Sequence, residues 1–114
     1  MLTIANAPEK NFRAAVAFYP GCQSHLDAHW RPRQPMLLLM GESDNVVRAA
    51  PCKELVAEAQ PPIDAHFYPN AHHLFDHPTL PISASPLGTI GSNLDARADA
   101  INRVTQFLAK QLPQ

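Results

Sequence analysis

Five consecutive apolar residues, MLLLM at positions 36–40, end at Gly41 and limit most strongly what this chain can fold into. A strand with one face in water alternates apolar and polar side chains, whereas a strand covered on both faces is a continuous apolar run. This run therefore predicts the central strand of a parallel sheet with helices on both faces. Neither it nor the apolar stretch at 14–19 approaches the roughly 20 residues that span a bilayer.

Two further strands and a connecting helix fit such a sheet. Residues 12–19, FRAAVAFY, predict a first strand that a Pro-Gly pair ends. Residues 51–60 predict a helix, because Pro51 suits its first turn and apolar residues then recur at helical spacing. Residues 63–68 alternate apolar and polar side chains, which is typical of a strand.

The rest of the chain predicts one more helix and two irregular stretches. Residues 22–35 predict a polar loop, and residues 70–91 predict a long irregular segment. Ser92 and Asn93 are typical of the start of a helix. An apolar stripe on that C-terminal helix should face the sheet, and its members are Leu94, Ala98, Ile101, Phe107, Leu108 and Leu112.

The order of these elements indicates the fold class. Strand, loop, strand, helix, strand, loop and helix follow one another without a repeat or a linker. Strands that alternate with helices form parallel sheets with right-handed crossovers. We therefore expect residues 1–114 to form a single α/β domain of three layers, a short parallel sheet of about three strands flanked by helices.

The charge balance limits the classes of partner. A net charge of −1, with 17% charged residues, leaves no basic surface for nucleic acid or an anionic membrane, so we expect neither as a partner. Hydrophobic residues make up 46% of the chain. That content argues against intrinsic disorder, which requires low hydrophobicity and high net charge.

Two cysteines, Cys22 and Cys52, stand thirty positions apart without a CxxC motif. This spacing does not predict a disulfide framework, and it slightly favours a reducing, cytoplasmic location. We expect both side chains to be small and buried, with Cys52 on the apolar face of the predicted helix. The N-terminal residues lack the basic flank and the long apolar stretch of a secretory signal.

Polar residues follow the second and third predicted strands, at the edge where open parallel sheets bind ligands. They are residues 41–45, GESDN, and residues 70–76, NAHHLFD. If the two strands are neighbours joined by the helix, both loops emerge close together. An aspartate and a histidine at this edge can form the orienting pair of a nucleophilic hydrolase, because the carboxylate holds the imidazole in one tautomer and stabilises its cation.

Three segments together resemble the dienelactone hydrolase family, which has the α/β-hydrolase fold. They are FRAAVAFYPGC, PMLLLMGESDNVV with APC behind it, and FYPNAHHLFD. The resemblance implies the C-terminal half of that fold and hydrolysis of an ester or lactone by a Cys or Ser, His and Asp triad. It places the triad acid on Asp44, three residues after the glycine that ends the strand. It places the triad histidine on His73, in an A-x-H-x-F pattern.

The family's nucleophile motif, G-x-[CS]-x-G, is absent from these 114 residues. Ser43 comes nearest, with Gly41 before it but Asn45 in place of the second glycine. We therefore expect a hydrolase fold whose isolated chain hydrolyses esters negligibly. The alternative is a non-catalytic remnant that acts as an oligomerising or partner-binding α/β module. The 12–19 strand lacks the neighbour that the family fold supplies, so we expect a homo-oligomer through that edge.

Each of these site residues also has a structural interpretation. An aspartate that follows a strand, such as Asp44, often caps a turn. A loop histidine such as His73 is often a partly buried side chain with a packing role alone. Its neighbour His72 is the alternative triad base. The resemblance favours the catalytic interpretation of Asp44 and His73.

Six histidines raise the question of a metal site. His25 and His29 are four residues apart, as are His73 and His77, and zinc sites use such pairs on helices. The first pair lies in a proline-flanked loop without the glutamate of HExxH, and the second ends at Pro78. We therefore expect no metal ion and no cofactor, with a small ester or lactone as the substrate of the complete enzyme.

Overall fold

A three-stranded parallel sheet forms the centre of the structure, a computed structural model that describes residues 13–111. Its strands are β1 (Ala15–Phe18), β2 (Met36–Gly41) and β3 (Asp64–Tyr68), and they lie in the order β1-β2-β3. Both pairs are parallel. The predicted sheet of three parallel strands is confirmed; Phe12, in the predicted first strand, lies outside the described residues.

Helices cover both faces of this sheet, which makes the three predicted layers. The helices are α1 (Gln23–Asp27), α2 (Ala49–Glu58) and α3 (Leu94–Gln111). Residues of α2 pack on one face, and α3 packs with the loop after β3 on the other. No helix within residues 13–111 is long and apolar enough to cross a bilayer.

The central strand β2 explains why the sheet is covered on both sides. All six of its residues are buried. Met36, Leu38 and Met40 face the α2 side, while Leu37 and Leu39 face the α3 side. The continuous apolar run therefore supplies both cores, as the sequence predicts.

Helix α3 packs on the sheet with a different stripe from the predicted one. Its buried residues are Ala96, Ala100 and Phe107. Leu94 is 62% exposed and Ile101 is 48% exposed, so the prediction that they face the sheet is wrong; Ala98 is exposed as well. Alanines let a helix approach a sheet closely, so the smaller side chains occupy the contact. Of the other predicted members, Phe107 is buried, Leu108 is half-buried, and Leu112 lies outside the described residues.

Two short elements occur where loops were predicted. Helix α1 lies within residues 22–35, and it is only five residues long. An antiparallel hairpin of β4 (Ser83–Ser85) and β5 (Gly88–Ile90) lies within residues 70–91. Elements of three to five residues complete no recognisable period, so hydrophobic patterning does not reveal them.

The two cysteines form a disulfide, so the prediction that they do not pair is wrong. Cys22 precedes α1 and Cys52 lies in α2, and their Cα atoms are 5.0 Å apart. Both side chains are fully buried, as predicted. The number of residues between two cysteines does not tell how far apart they lie in the fold. Cys22 and Cys52 meet because α1 packs against α2. The preference for a reducing compartment depended on unpaired cysteines and loses its basis.

Candidate active site

The loops that follow β2 and β3 are fastened to each other at the carboxyl edge of the sheet. The N–H of Ser43 donates to the carbonyl oxygen of Ala71 at 3.0 Å, and the N–H of Glu42 donates to that of Tyr68 at 2.8 Å. A Cβ atom on Gly41 would lie 2.2 Å from the Ala71 oxygen. The glycine that ends β2 is therefore required for this close approach.

Asp44 uses its two carboxylate oxygens for two different purposes. Oδ1 accepts from the N–H groups of Val46 at 2.9 Å and Val47 at 3.1 Å, which closes a local turn. Oδ2 lies 2.8 Å from Nδ1 of His73. The side chain is fully buried, and these contacts satisfy both oxygens. The turn-capping and dyad interpretations of Asp44 therefore both describe its geometry.

His73, rather than its neighbour His72, contacts Asp44. Nδ1 of His72 is buried without a hydrogen-bond partner among the described residues. The His73 side chain is 19% exposed. A carboxylate only accepts, so Nδ1–H donates to Asp44 and Nε2 remains free to take a proton. Sequence reasoning predicted that these loops meet, and the structure brings Asp44 and His73 together there.

The β4–β5 hairpin supports both loops from outside. His73 forms an isolated parallel bridge with Ile90, and the N–H of Gly91 donates to the His73 carbonyl at 3.1 Å. The side-chain oxygen of Asn45, next to Asp44, accepts from the N–H of Thr89 at 2.8 Å. The hairpin thus contacts the acid loop and the histidine loop together.

The ring of Tyr19 packs beside the imidazole of His73, and Phe75 packs against Tyr19 in turn. The ring of Tyr19 lies 4.4 Å from that of His73, and Phe75 is fully buried behind it, 5.9 Å from Tyr19. The hydroxyl of Tyr19 donates to Oδ1 of Asp76 at 2.8 Å. Sequence reasoning missed Tyr19 and Asp76. The signal was available, because Tyr19 directly follows β1 and so stands at the same carboxyl edge.

Most of the strained backbone lies around these residues. Five described non-glycine residues have a positive φ, and four of them belong to segments that build this edge of the sheet: Tyr19 (40°), Arg48 (59°), Asn70 (59°) and Leu74 (67°). The fifth, His29 (54°), follows α1 and lies apart from the dyad. Sparsely populated backbone conformations persist only where surrounding contacts impose them, and they cluster at functional sites.

The other residues considered from the sequence do not contact the dyad. No serine hydroxyl or cysteine thiol in the described part of the chain hydrogen-bonds to His73, and Ser43 contributes only its backbone N–H. No group of three or more His, Cys, Asp or Glu side chains within residues 13–111 is placed to hold a metal ion. His25 packs against Trp30 instead, with the ring centroids 5.4 Å apart.

Among the described residues, two cavities of similar size lie at opposite edges of the sheet. One, of about 510 Å³, borders the acid loop and is lined by Asp44, Arg48 and Lys53 among others, but not by His73. The second, of about 490 Å³, lies at the amino edge beside Ile63 and the end of α3, and neither Asp44 nor His73 lines it. Of these two cavities, the first adjoins the acid of the dyad.

Comparison with known proteins adds a single finding. The sequence model of the dienelactone hydrolase family matches residues 1–112, nearly the whole chain. A search of curated proteins finds no match. The parallel sheet between helices agrees with part of the α/β-hydrolase fold of that family. With the fold and the family match in agreement, the chain belongs to the dienelactone hydrolase family.

Proposed function

We propose that Asp44 and His73 are the acid and the base of a Cys or Ser, His and Asp triad that hydrolyses an ester or a lactone. The observation that carries the proposal is the 2.8 Å contact between Asp44 Oδ2 and His73 Nδ1. Residues 1–12 and 112–114 contain no serine or cysteine. The proposal therefore takes the nucleophile of this triad from a segment that is not among these 114 residues.

In this mechanism His73 moves the proton and Asp44 fixes the imidazole. Nε2 of His73 takes the proton of the nucleophile as it attacks the substrate carbonyl, and the imidazolium gives that proton to the leaving alcohol. The same nitrogen then activates water, which releases the acid and restores the nucleophile. Asp44 stabilises the imidazolium through the Nδ1–H bond without taking the proton. This chemistry requires no cofactor.

Complementation tests the proposal. The chain would be produced together with the N-terminal half of a dienelactone hydrolase, which carries a nucleophile, and hydrolysis of an activated ester measured. We expect activity from the pair and negligible activity from this chain alone. Asp44→Asn should lower kcat of the pair by about 10⁴-fold, because the imidazole loses its fixed tautomer.

Ser43→Ala serves as the matched control, since it removes a hydroxyl from the same loop without touching the dyad. It should leave the activity of the pair unchanged. Full activity in Asp44→Asn or His73→Ala would reject the proposed roles. Strong activity of the isolated chain that Ser43→Ala abolishes would identify Ser43 as the nucleophile instead.

The second candidate function is a non-catalytic oligomerising module, and the outer edge of β1 favours it. The N–H of Ala15 donates to the carbonyl oxygen of Pro35, just before β2, and that of Tyr19 donates to Leu39 in β2. The N–H groups of Val16 and Phe18 therefore point away from β2. No strand within residues 13–111 pairs with that edge. A stable oligomer without activity in the complementation assay would support this function over hydrolysis.

A further inference from the structure

Three features of Tyr19 are not explained by the Asp44–His73 contact alone. Its ring lies 4.4 Å from the imidazole of His73, with 57° between the ring planes. Its hydroxyl donates to Asp76 at 2.8 Å, across 57 positions of the sequence. Its backbone has a φ of 40°. Together they describe a side chain that is held in place at both ends.

We propose that Tyr19 is a positioning residue for His73, with Asp76 as the anchor that holds its ring against the imidazole. The effect of Tyr19 on catalysis rests on the proposed hydrolase function, whereas its effect on the orientation of the His73 ring does not. Tyr19 and Asp76 would act on the reaction only through the orientation of His73.

The imidazole needs a second constraint besides Asp44. One hydrogen bond at Nδ1 fixes a single point of the ring, and the terminal torsion of a histidine side chain is broad. The Tyr19 ring occupies the space beside the imidazole, and the fully buried Phe75 supports Tyr19 in turn. Rotation of the imidazole away from Asp44 would therefore have to displace Tyr19.

Asp76 fixes Tyr19 relative to the histidine loop itself. Asp76 stands three residues after His73, so its hydrogen bond joins that loop to the end of β1. Nε of Arg97 donates to the carbonyl of Asp76 at 3.0 Å, which connects the same point to α3. The anchor is therefore connected to the sheet and to a helix.

The Tyr19 hydroxyl stays un-ionised and acts as a hydrogen-bond donor. Burial raises the pKa of Tyr19 well above its ordinary value, and the hydrogen bond and negative charge of Asp76 raise this pKa further. The phenol therefore stays protonated at every pH at which the protein would work. Its role is to position a ring, which distinguishes it from the acid–base role of His73.

The backbone of Tyr19 agrees with an imposed position. Its N–H donates to the Leu39 carbonyl at 2.7 Å, which keeps the residue attached to β2 despite the positive φ. Such a conformation is unfavourable for a residue other than glycine and persists only where surrounding contacts impose it. The ring reaches the rings of Phe18 and His73 from this strained position.

The chain contains a matched control for this arrangement. Tyr68 donates to Asp99 at 2.8 Å, the same distance as from Tyr19 to Asp76. The nearest imidazole to the Tyr68 ring is that of His66, at 4.6 Å. Removing the Tyr68 hydroxyl deletes an equivalent tyrosine–aspartate bond without removing the support of His73.

Nuclear magnetic resonance of the histidine rings in the isolated, ¹⁵N-labelled chain tests the inference. The Nδ1–H proton of His73 should give a strongly downfield resonance, assigned by its disappearance in His73→Gln. Tyr19→Phe and Asp76→Asn should each broaden or abolish this resonance, because the imidazole then leaves Asp44 for part of the time. Tyr68→Phe should leave it unchanged.

In the complemented enzyme, Tyr19→Phe should lower kcat by about 10- to 100-fold with KM unchanged, since small misplacements of a reacting group have effects of that size. A resonance and a kcat equal to wild type in both Tyr19→Phe and Asp76→Asn would overturn the inference. An equal loss in Tyr68→Phe would overturn it too, by showing general loosening.

The two proposals fail separately. If Asp44→Asn retains full activity in the complemented enzyme, the proposed function is wrong whatever the resonances show. If Asp44→Asn abolishes activity while Tyr19→Phe changes neither kcat nor the Nδ1–H resonance, only the positioning role of Tyr19 is wrong.

Discussion

At the scale of single residues, Asp44 shows why a structural and a functional interpretation need not compete. One oxygen closes a turn and the other meets His73. Asp44→Asn keeps an acceptor for the two N–H groups, whereas Asp44→Ala leaves them partly buried and without that acceptor. We expect Asp44→Ala to lower the free energy of unfolding by about 1–3 kcal/mol more than Asp44→Asn does, measured in urea. Equal losses would show that the turn bonds contribute nothing.

Gly41 gives a sharper prediction at the same scale. A Cβ on Gly41 would lie 2.2 Å from the Ala71 oxygen, whereas one on Gly21 would meet nothing closer than Val47 at 4.0 Å. Gly41→Ala should therefore lower the unfolding free energy by about 3 kcal/mol or more, because backbone has to move. Gly21→Ala should change it by less than about 0.5 kcal/mol. Thermal unfolding of both variants tests this prediction. Similar losses of stability in Gly41→Ala and Gly21→Ala would contradict the close approach of Gly41 to Ala71.

At the scale of elements, the disulfide joins α1 to α2 across thirty positions. Closing a loop of that length restricts the unfolded chain, so the Cys22→Ala, Cys52→Ala double variant should lose about 3–4 kcal/mol of unfolding free energy. Reduced wild type is the control and should lose a similar amount. Thiol titration of the unreduced, denatured chain should find no free thiol, and two free thiols would contradict the pairing.

Asp99 connects β3 to α3 and makes stability depend on pH. It accepts from Tyr68 at 2.8 Å and from Arg103 at 2.6 Å. The Arg103 hydrogen bond, then that of Tyr68, lowers the pKa of Asp99. The Asp99 carboxylate therefore contributes fully to the free energy of unfolding above its pKa in the unfolded chain, about 3.9. That contribution disappears as the pH falls through its lower pKa in the folded protein. At pH 7 the free energy of unfolding of wild type should exceed that of Asp99→Asn by less than about 1 kcal/mol, since the ion pair with Arg103 is exposed. In urea titrations this difference should disappear below about pH 4. A difference that stays constant with pH would contradict a contribution from the ion pair.

The elements also show what the sequence could reveal. Strand β2 was predictable because a strand covered on both faces is a continuous apolar run. The meeting of the two loops followed from parallel topology, whereas the choice of Asp44 and His73 within them came from the family resemblance. The buried face of α3 could not be predicted from hydrophobicity, because the small side chains of Ala96 and Ala100 occupy the contact with the sheet. The strands of the hairpin are too short to show a period. The contact between Tyr19 and Asp76 joins segments 57 positions apart, which no local period records.

At the scale of the whole molecule, the outer edge of β1, which pairs with no strand within residues 13–111, predicts association. Its four residues, AVAF, include no charge and no proline, which are the usual protections of an edge strand. We expect a homodimer at micromolar concentration by sedimentation. Val16→Pro should give a monomer, because it removes an outward N–H without touching the pairing with β2. Val16→Thr, which keeps that N–H, should stay dimeric. A wild-type monomer at high micromolar concentration would contradict pairing through this edge.

The β4–β5 hairpin has a consequence for how the site is lost. Each of its strands has three residues, and Leu87 between them is 77% exposed. So small and exposed a unit opens at a far lower free energy than the buried sheet, and amide hydrogens at Thr89 and Gly91 should exchange sooner than those of β2. Because the hairpin supports the loops of both Asp44 and His73, each local opening releases the dyad while the sheet stays folded. The persistence of the Asp44–His73 contact is then limited by the least stable element of the fold. Mild denaturant should weaken the Nδ1–H resonance of His73 before circular dichroism records any unfolding.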